Sequence, residues 1–189
     1  MLILILGLIV FLGIHSVLIV KPGLGQSMIA RHGENAWKGV YTVIAIIGLL
    51  LVIYGYSIAR LSALVAYVPP AGLRHLTHLL MLPVFILLFA TYFPGRIKSV
   101  SRHPMLLATI LWALAHLLSN GHWADVLLFG GFLVWAVADM ISMSKRPPKH
   151  IPTVPAGRFN DGICIIGGLV VYALFVGGLH RWLFGVAPM

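Results

Sequence analysis

The apolar positions of this chain fall in long unbroken runs separated by short polar breaks, without the alternation or one-faced spacing of a soluble domain. Residues 1–20 form the first run, stopped by Lys21–Pro22–Gly23. A polar connection with Arg31, His32, Glu34 and Asn35 reaches about Trp37, and Val40 to Ile58 is the second run. Beyond Arg60, a segment with Tyr67, Pro69, Pro70 and Gly72 breaks any helix. The third run, about Leu76 to Phe93, contains Pro83, which predicts a kink. Pro94–Gly95 ends it, and a basic loop closes at Arg102–His103–Pro104. Pro104 suits the first turn of a fourth helix, because its missing N–H would have had no intrahelical partner. The short Ser119–Asn120–Gly121–His122 turn predicts that this helix lies antiparallel beside the fifth, Trp123 to Met143. A loop from Lys145 to Asp161 precedes the last run, about Gly162 to Phe184. The predicted fold is all-α, a polytopic membrane helix bundle with about six transmembrane helices, forming one domain over residues 1–189.

Composition agrees. With 60% hydrophobic and 9% charged residues and a mean hydropathy of +1.02, the chain cannot cover a soluble surface with polar groups. Thirteen Lys and Arg against four acidic residues would suit a nucleic-acid partner, but they lie between apolar runs and not along one face. They read as topology signals and contacts to membrane lipid, and nucleic acid is not expected. Ten of the thirteen follow the first, third and fifth runs, which places both termini outside the cytoplasm. The first run lacks a basic leader and a small-residue cleavage site, and is read as a retained helix. One cysteine, Cys164, excludes an internal disulfide and Cys-based zinc or iron–sulfur sites, and reads as a packing residue.

Nine histidines beside four acidic residues turn attention from carboxylates to imidazoles, which can be metal ligands in hydrocarbon without carrying charge. His15 and His116 lie within apolar runs. His116 shares a helical stripe with Met105, Thr109 and Trp112, and His15 one with Leu8, Phe11 and Leu12. Two such stripes suit a flat apolar cofactor such as haem, gripped through its iron. The competing reading is that each histidine hydrogen-bonds a Ser, a Thr or a carbonyl on a neighbouring helix. On depth alone, His78 is a rival to His15 as the partner of His116. Arg102 and His103 at a helix start suit an acidic group, such as a haem propionate or substrate carboxylate, or else an interfacial anchor. Asp125 reads as a charge near a helix N-terminus, and Asp139 as a partner for Lys145 or a histidine. His32, His122, His150 and His180 read as solvated loop or interface residues. Paired glycines at Gly167/Gly168 and Gly177/Gly178 suit close helix contact or lipid exposure.

The run Arg102–His103–Pro104–Met105–Leu106, then Leu111–Trp112–Ala113–Leu114–Ala115–His116, Asn120–Gly121 and Leu127–Leu128–Phe129–Gly130, resembles the NnrU family of bacterial membrane proteins, as do Gly33–Glu34, Tyr41 and Tyr54–Gly55. That family includes the 15-cis-zeta-carotene isomerases of plants and cyanobacteria, whose likeness concentrates at His15–Ser16 and the Arg-His-Pro to Ala-His segment. The resemblance implies haem b held by two histidines matching His15 and His116, active in the ferrous state on a central cis double bond of an apolar polyene. A cysteine proposed there as an alternative ligand corresponds to Ala113. Other bacterial members are named for an association with nitrite and nitric oxide reduction. Arg-His-Pro at a helix start also resembles the isoprenylcysteine carboxyl methyltransferases, although Lys145–Arg146–Pro147–Pro148–Lys149–His150 lacks their acidic pair. A membrane scaffold packed through its glycines is a third reading. Electron donor and oligomeric state stay open.

Overall fold

The computed structural model describes residues 1–62, 64–143, 145 and 151–188. All of its regular elements are helical: α1 (Leu2–Val20), α2 (Leu24–His32), α3 (Glu34–Ala59), α4 (Leu73–Tyr92), α5 (Arg96–Ser101), α6 (Pro104–Ser119), α7 (Trp123–Met143), α8 (Asn160–Leu174), a π-helical turn (Phe175–Leu179) and α9 (His180–Phe184). Among the described residues, β pairing is limited to an isolated antiparallel bridge between Val65 and His122. Five helical stretches are long and apolar enough to cross a bilayer, the last running from Asn160 to Phe184, and α6 is a shorter apolar helix. The chain is a multi-pass membrane protein of all-α class.

Helices extend past the apolar runs. α3 begins at Glu34, six residues before the run at Val40, and α2 is helical where a polar connection was expected. Hydropathy marks the part of a helix that meets lipid, whereas backbone hydrogen bonding continues into the headgroup layer. α4 runs unbroken from Leu73 to Tyr92 with Pro83 inside it.

The contacts divide the chain into two compact units, Met1–Val68 with Asn120–Pro147, and Pro69–Ser119 with Pro148–Met189. Unit 1 is built on α1 and α3, with α2 and α7 against them. Its seam is set by glycine. A Cβ on Gly48 would lie 2.7 Å from the Phe11 nitrogen, and one on Gly7 would lie 2.5 Å from the Val52 nitrogen. Gly55 faces the Leu4 backbone in the same way, and Leu4 is wholly buried. Between hydrocarbon-embedded helices, such close backbone approach supplies the dispersion contact that water exclusion supplies elsewhere.

Unit 2 is built on α4, flanked by α6 and α8. On the α8 side, a Cβ on Gly168 would meet the Ile86 backbone at 2.6 Å, so Gly167 and Gly168 are the close-contact pair. Gly177 and Gly178 pack on nothing within 4 Å; Gly178, at φ 144°, breaks the helix instead. On the α6 side, Thr77 Oγ1 donates to the Ala115 carbonyl at 3.2 Å and lies 2.6 Å from Ser119 Oγ. This fixes the level of His116.

α6 packs on α4 in unit 2, while α7 packs on α1 and α3 in unit 1. The short turn is held by other residues: Ala66 N–H donates to Gly121 O at 2.8 Å, Trp123 N–H to Leu64 O at 3.0 Å, and the Tyr67 hydroxyl to Asn120 O at 2.9 Å. A returning segment therefore uses the backbone groups of this turn. Burial, and then the Asp125 carboxylate, push the Tyr67 phenol above its ordinary value and keep it neutral.

Candidate functional site

In unit 1 the site grows from α1. His15 lies one turn beyond Phe11, and its Nδ1 donates to the Phe11 carbonyl at 2.7 Å, since a carbonyl only accepts. The neutral ring then carries its lone pair on Nε2. The Phe11 ring sits 4.4 Å from the imidazole, Tyr41 of α3 stands edge-on at 5.5 Å, and Trp135 of α7 edge-on at 6.0 Å. Ser16 is occupied with Leu12 O at 2.6 Å. Three helices thus surround one imidazole with aromatic faces. Trp135 Nε1, within this enclosure, is buried without a hydrogen-bond partner.

Unit 2 repeats the local arrangement around His116. Its Nδ1 donates to the Trp112 carbonyl at 2.8 Å, with the Trp112 ring 5.3 Å from the imidazole. His116 stands in the last turn of α6. The His180 ring lies 6.4 Å away, and its own Nδ1 donates to Val186 O at 2.8 Å. His180 is a half-buried helical residue, brought there by the π-turn and Gly178.

These two histidines do hydrogen-bond carbonyls, but of their own helices. Ligating histidines have the same habit: one ring nitrogen donates to a carbonyl or carboxylate and fixes the other towards the metal. His78 follows the neighbour-helix pattern instead. Its Nδ1 is 3.2 Å from the Tyr172 hydroxyl of α8, that hydroxyl donates back to His78 O at 3.3 Å, and its Nε2 is buried without a partner.

The basic stretch is shaped from α8. Asp161 accepts the N–H groups of Arg96 at 2.9 Å and Ile97 at 3.0 Å, capping α5, and Gly95 leaves the space its carboxylate fills. Asn160 donates to Pro94 O at 2.8 Å, and Lys98 Nζ to Thr91 O at 2.8 Å. Arg102 then turns the chain at φ 55°, the one non-glycine positive φ among the described residues. A side chain in that region costs about 1–3 kcal/mol, so the corner is held by its surroundings. Arg102 is exposed, His103 half-buried, and Pro104 opens α6.

Asp125 is 5% exposed in the first turn of α7 and accepts from the Tyr56 hydroxyl at 2.7 Å and from His122 N–H at 3.2 Å. His122 Nδ1 is 3.5 Å from the same carboxylate. Asp139 acts electrostatically on Tyr41. Cys164 is wholly buried at the start of α8, 3.9 Å from Phe93 O. His32 closes α2 in the open, and His150 lies outside the described residues.

Among the described residues, no three of His, Cys, Asp and Glu gather as a metal cluster. The nitrogen donors are single imidazoles, a set that fits a metal already carried in a macrocycle. The sequence reading named Tyr41 only as part of the family resemblance and did not name Trp135, although Phe132, Trp135 and Asp139 recur at helical spacing and mark one face of α7. The family model described as NnrU protein matches residues 3–188. No curated protein and no solved structure matches the chain.

Proposed function

The chain belongs to the NnrU family, and from that premise we propose that it is a membrane haem protein in which the His15 and His116 imidazoles would hold haem b. The observation that carries the proposal is the fixing of both Nδ1 atoms on carbonyls one turn back, at 2.7 and 2.8 Å, the hydrogen bond by which ligating histidines are oriented. Phe11, Tyr41 and Trp135 exclude water from His15, and Trp112 covers one side of His116. Arg102 and His103 supply cationic and N–H donors suited to the cofactor's carboxylates. Bound there, haem supplies a ferric–ferrous couple within hydrocarbon. The substrate class this favours is an apolar polyene arriving from the bilayer, with cis–trans isomerisation in the ferrous state as the reaction, in the bacterial inner membrane.

The test is the optical spectrum of detergent-purified protein expressed with ample haem, as isolated and after dithionite. A Soret band that sharpens on reduction, with resolved α and β bands lost or altered in His15→Ala and His116→Ala, is the expected result. A colourless wild-type protein refutes it, and binding of S-adenosylmethionine would then favour the methyltransferase reading. Haem without activity on any cis polyene would favour the reading of an accessory to nitrite or nitric oxide reduction.

A further inference from the structure

Within unit 2, the segment that leads into α8 is pinned to the end of α4 and the start of α5. Val154 N–H donates to Tyr92 O at 3.1 Å, Asn160 Nδ2 donates to Pro94 O at 2.8 Å, and Asp161 accepts from the N–H groups of Arg96 and Ile97. Asp161 is the single acidic residue in the sequence of this unit. Arg96 and Arg158, both exposed, and half-buried Lys98 therefore leave this end with a positive surplus even after Asp161 is counted.

From that end an apolar groove runs along α8. Phe159, Gly162, Ile163, Ile166 and Gly167 line an open cleft of about 370 Å³, within the range of about 300–1,000 Å³ usual for ligand sites. Their spacing puts them on one stripe of the helix, and the stripe faces outward, with Phe159 and Ile166 each 66% exposed. Gly162 keeps the groove open, since a Cβ there would meet nothing within 4 Å. Phe159 to Gly167 spans roughly 12 Å at 1.5 Å per residue, so the groove stays within one leaflet of a hydrocarbon core about 30 Å thick. The Arg158 guanidinium sits 4.6 Å over the Phe159 ring, which joins the cation to the groove wall.

We propose that this groove binds one anionic phospholipid of the membrane that the chain spans, with an acyl chain along the Phe159–Gly167 stripe and its phosphate on Arg158. An apolar channel with a cation at its interfacial end has the polarity of such a lipid. The groove covers the acyl chain, and the guanidinium offers paired N–H donors in the geometry a phosphate accepts. The positive surplus selects an anionic headgroup over a zwitterionic one, whose own cation it repels. The inference is independent of the haem reading, since neither His15 nor His116 takes part in it.

The test titrates the full-length protein in mild detergent with dioleoyl phosphatidylglycerol or dioleoyl phosphatidylcholine. Native mass spectrometry counts retained lipid, and the δ1-methyl spectra of ¹³C-labelled isoleucine report on Ile163 and Ile166. The first phosphatidylglycerol should bind about tenfold more tightly than the first phosphatidylcholine, as expected for hydrogen bonds between charged groups, and should shift both methyl signals saturably. Arg158→Gln should erase that preference and leave phosphatidylcholine binding unchanged. Arg181→Gln, the same loss of charge near the other end of the Asn160–Phe184 stretch, should keep it. Gly162→Leu occupies open space without a backbone clash and should weaken both lipids alike. Equal retention of the two lipids by wild type, a preference that survives Arg158→Gln, or an equal loss in Arg181→Gln overturns the proposal. Methyl signals that stay in place with phosphatidylglycerol overturn it whether or not the variants fold. Shifts that follow protein concentration and not lipid would assign the groove to a second copy of the chain, and overturn it as well.

Discussion

Gly48→Ala tests how the α1–α3 seam positions His15. The added methyl carbon would lie 2.7 Å from the Phe11 nitrogen, 2.8 Å from its Cα and 3.0 Å from its Cβ. Two of these are backbone atoms, so no rotamer change relieves the clash. Restoring ordinary contact requires the helices to part by roughly 1 Å, which forfeits about a quarter to a half of each dispersion contact along the seam. Overpacking of this kind costs about 1–3 kcal/mol, partly offset by the roughly 0.5–1 kcal/mol that alanine gains over glycine inside a helix. Gly39→Ala is the control. It lies in the same helix with nothing within 4 Å of its Cβ position, so it takes the propensity gain alone. The propensity gain cancels between the two variants, and their difference isolates the steric cost of about 1–3 kcal/mol. Reversible unfolding by SDS in mixed micelles measures that difference. Because Phe11 supplies the carbonyl that holds His15, Gly48→Ala should also weaken haem retention while Gly39→Ala leaves it unchanged. Equal stability of the two variants would refute the close-packed seam.

Asp161→Asn keeps an acceptor but loses the charge that caps α5, so amide exchange over residues 96–101 should rise about tenfold while α1 is unaffected; unchanged exchange would show that α5 stands without it. Tyr56→Phe removes the 2.7 Å hydrogen bond to buried Asp125 and should lower unfolding stability by about 1–3 kcal/mol. Full stability in that variant would mean that His122 and the helix N-terminus satisfy the carboxylate unaided.

The spans were legible because the length of an apolar run is a local signal, and a bilayer imposes it on each helix separately. The polar starts of helices were not: α2 and the first six residues of α3 are helical without being apolar, and hydropathy registers lipid contact alone. The turn at residues 119–122 was legible from its composition, but its partner was not: residues 64–67, distant in sequence, bond its backbone groups. The glycine doublet at 167 and 168 was visible as a pair and does mediate close contact, whereas Gly48 and Gly55, seven residues apart and so on one helical face, carried the same signal in a less conspicuous form. The surroundings of His15 depend on Tyr41 and Trp135 arriving from two other helices, and no single run contains that information.

What the sequence could not show is where each intramembrane histidine sends its hydrogen bonds. The Nδ1 partners of the three differ. His78 is joined to Tyr172 across two helices, and Tyr172 answers with a bond of its own, so that pair contributes to packing. His15 and His116 close their hydrogen bonds within their own helices, on carbonyls one turn back. Those bonds join no second helix and add nothing to its attachment. Their effect is on the imidazole itself: they select the tautomer and limit ring rotation. The same device, aromatic residue at i−4 included, occurs in both units. On the haem reading proposed above, this repeated geometry is what would orient each imidazole for a metal.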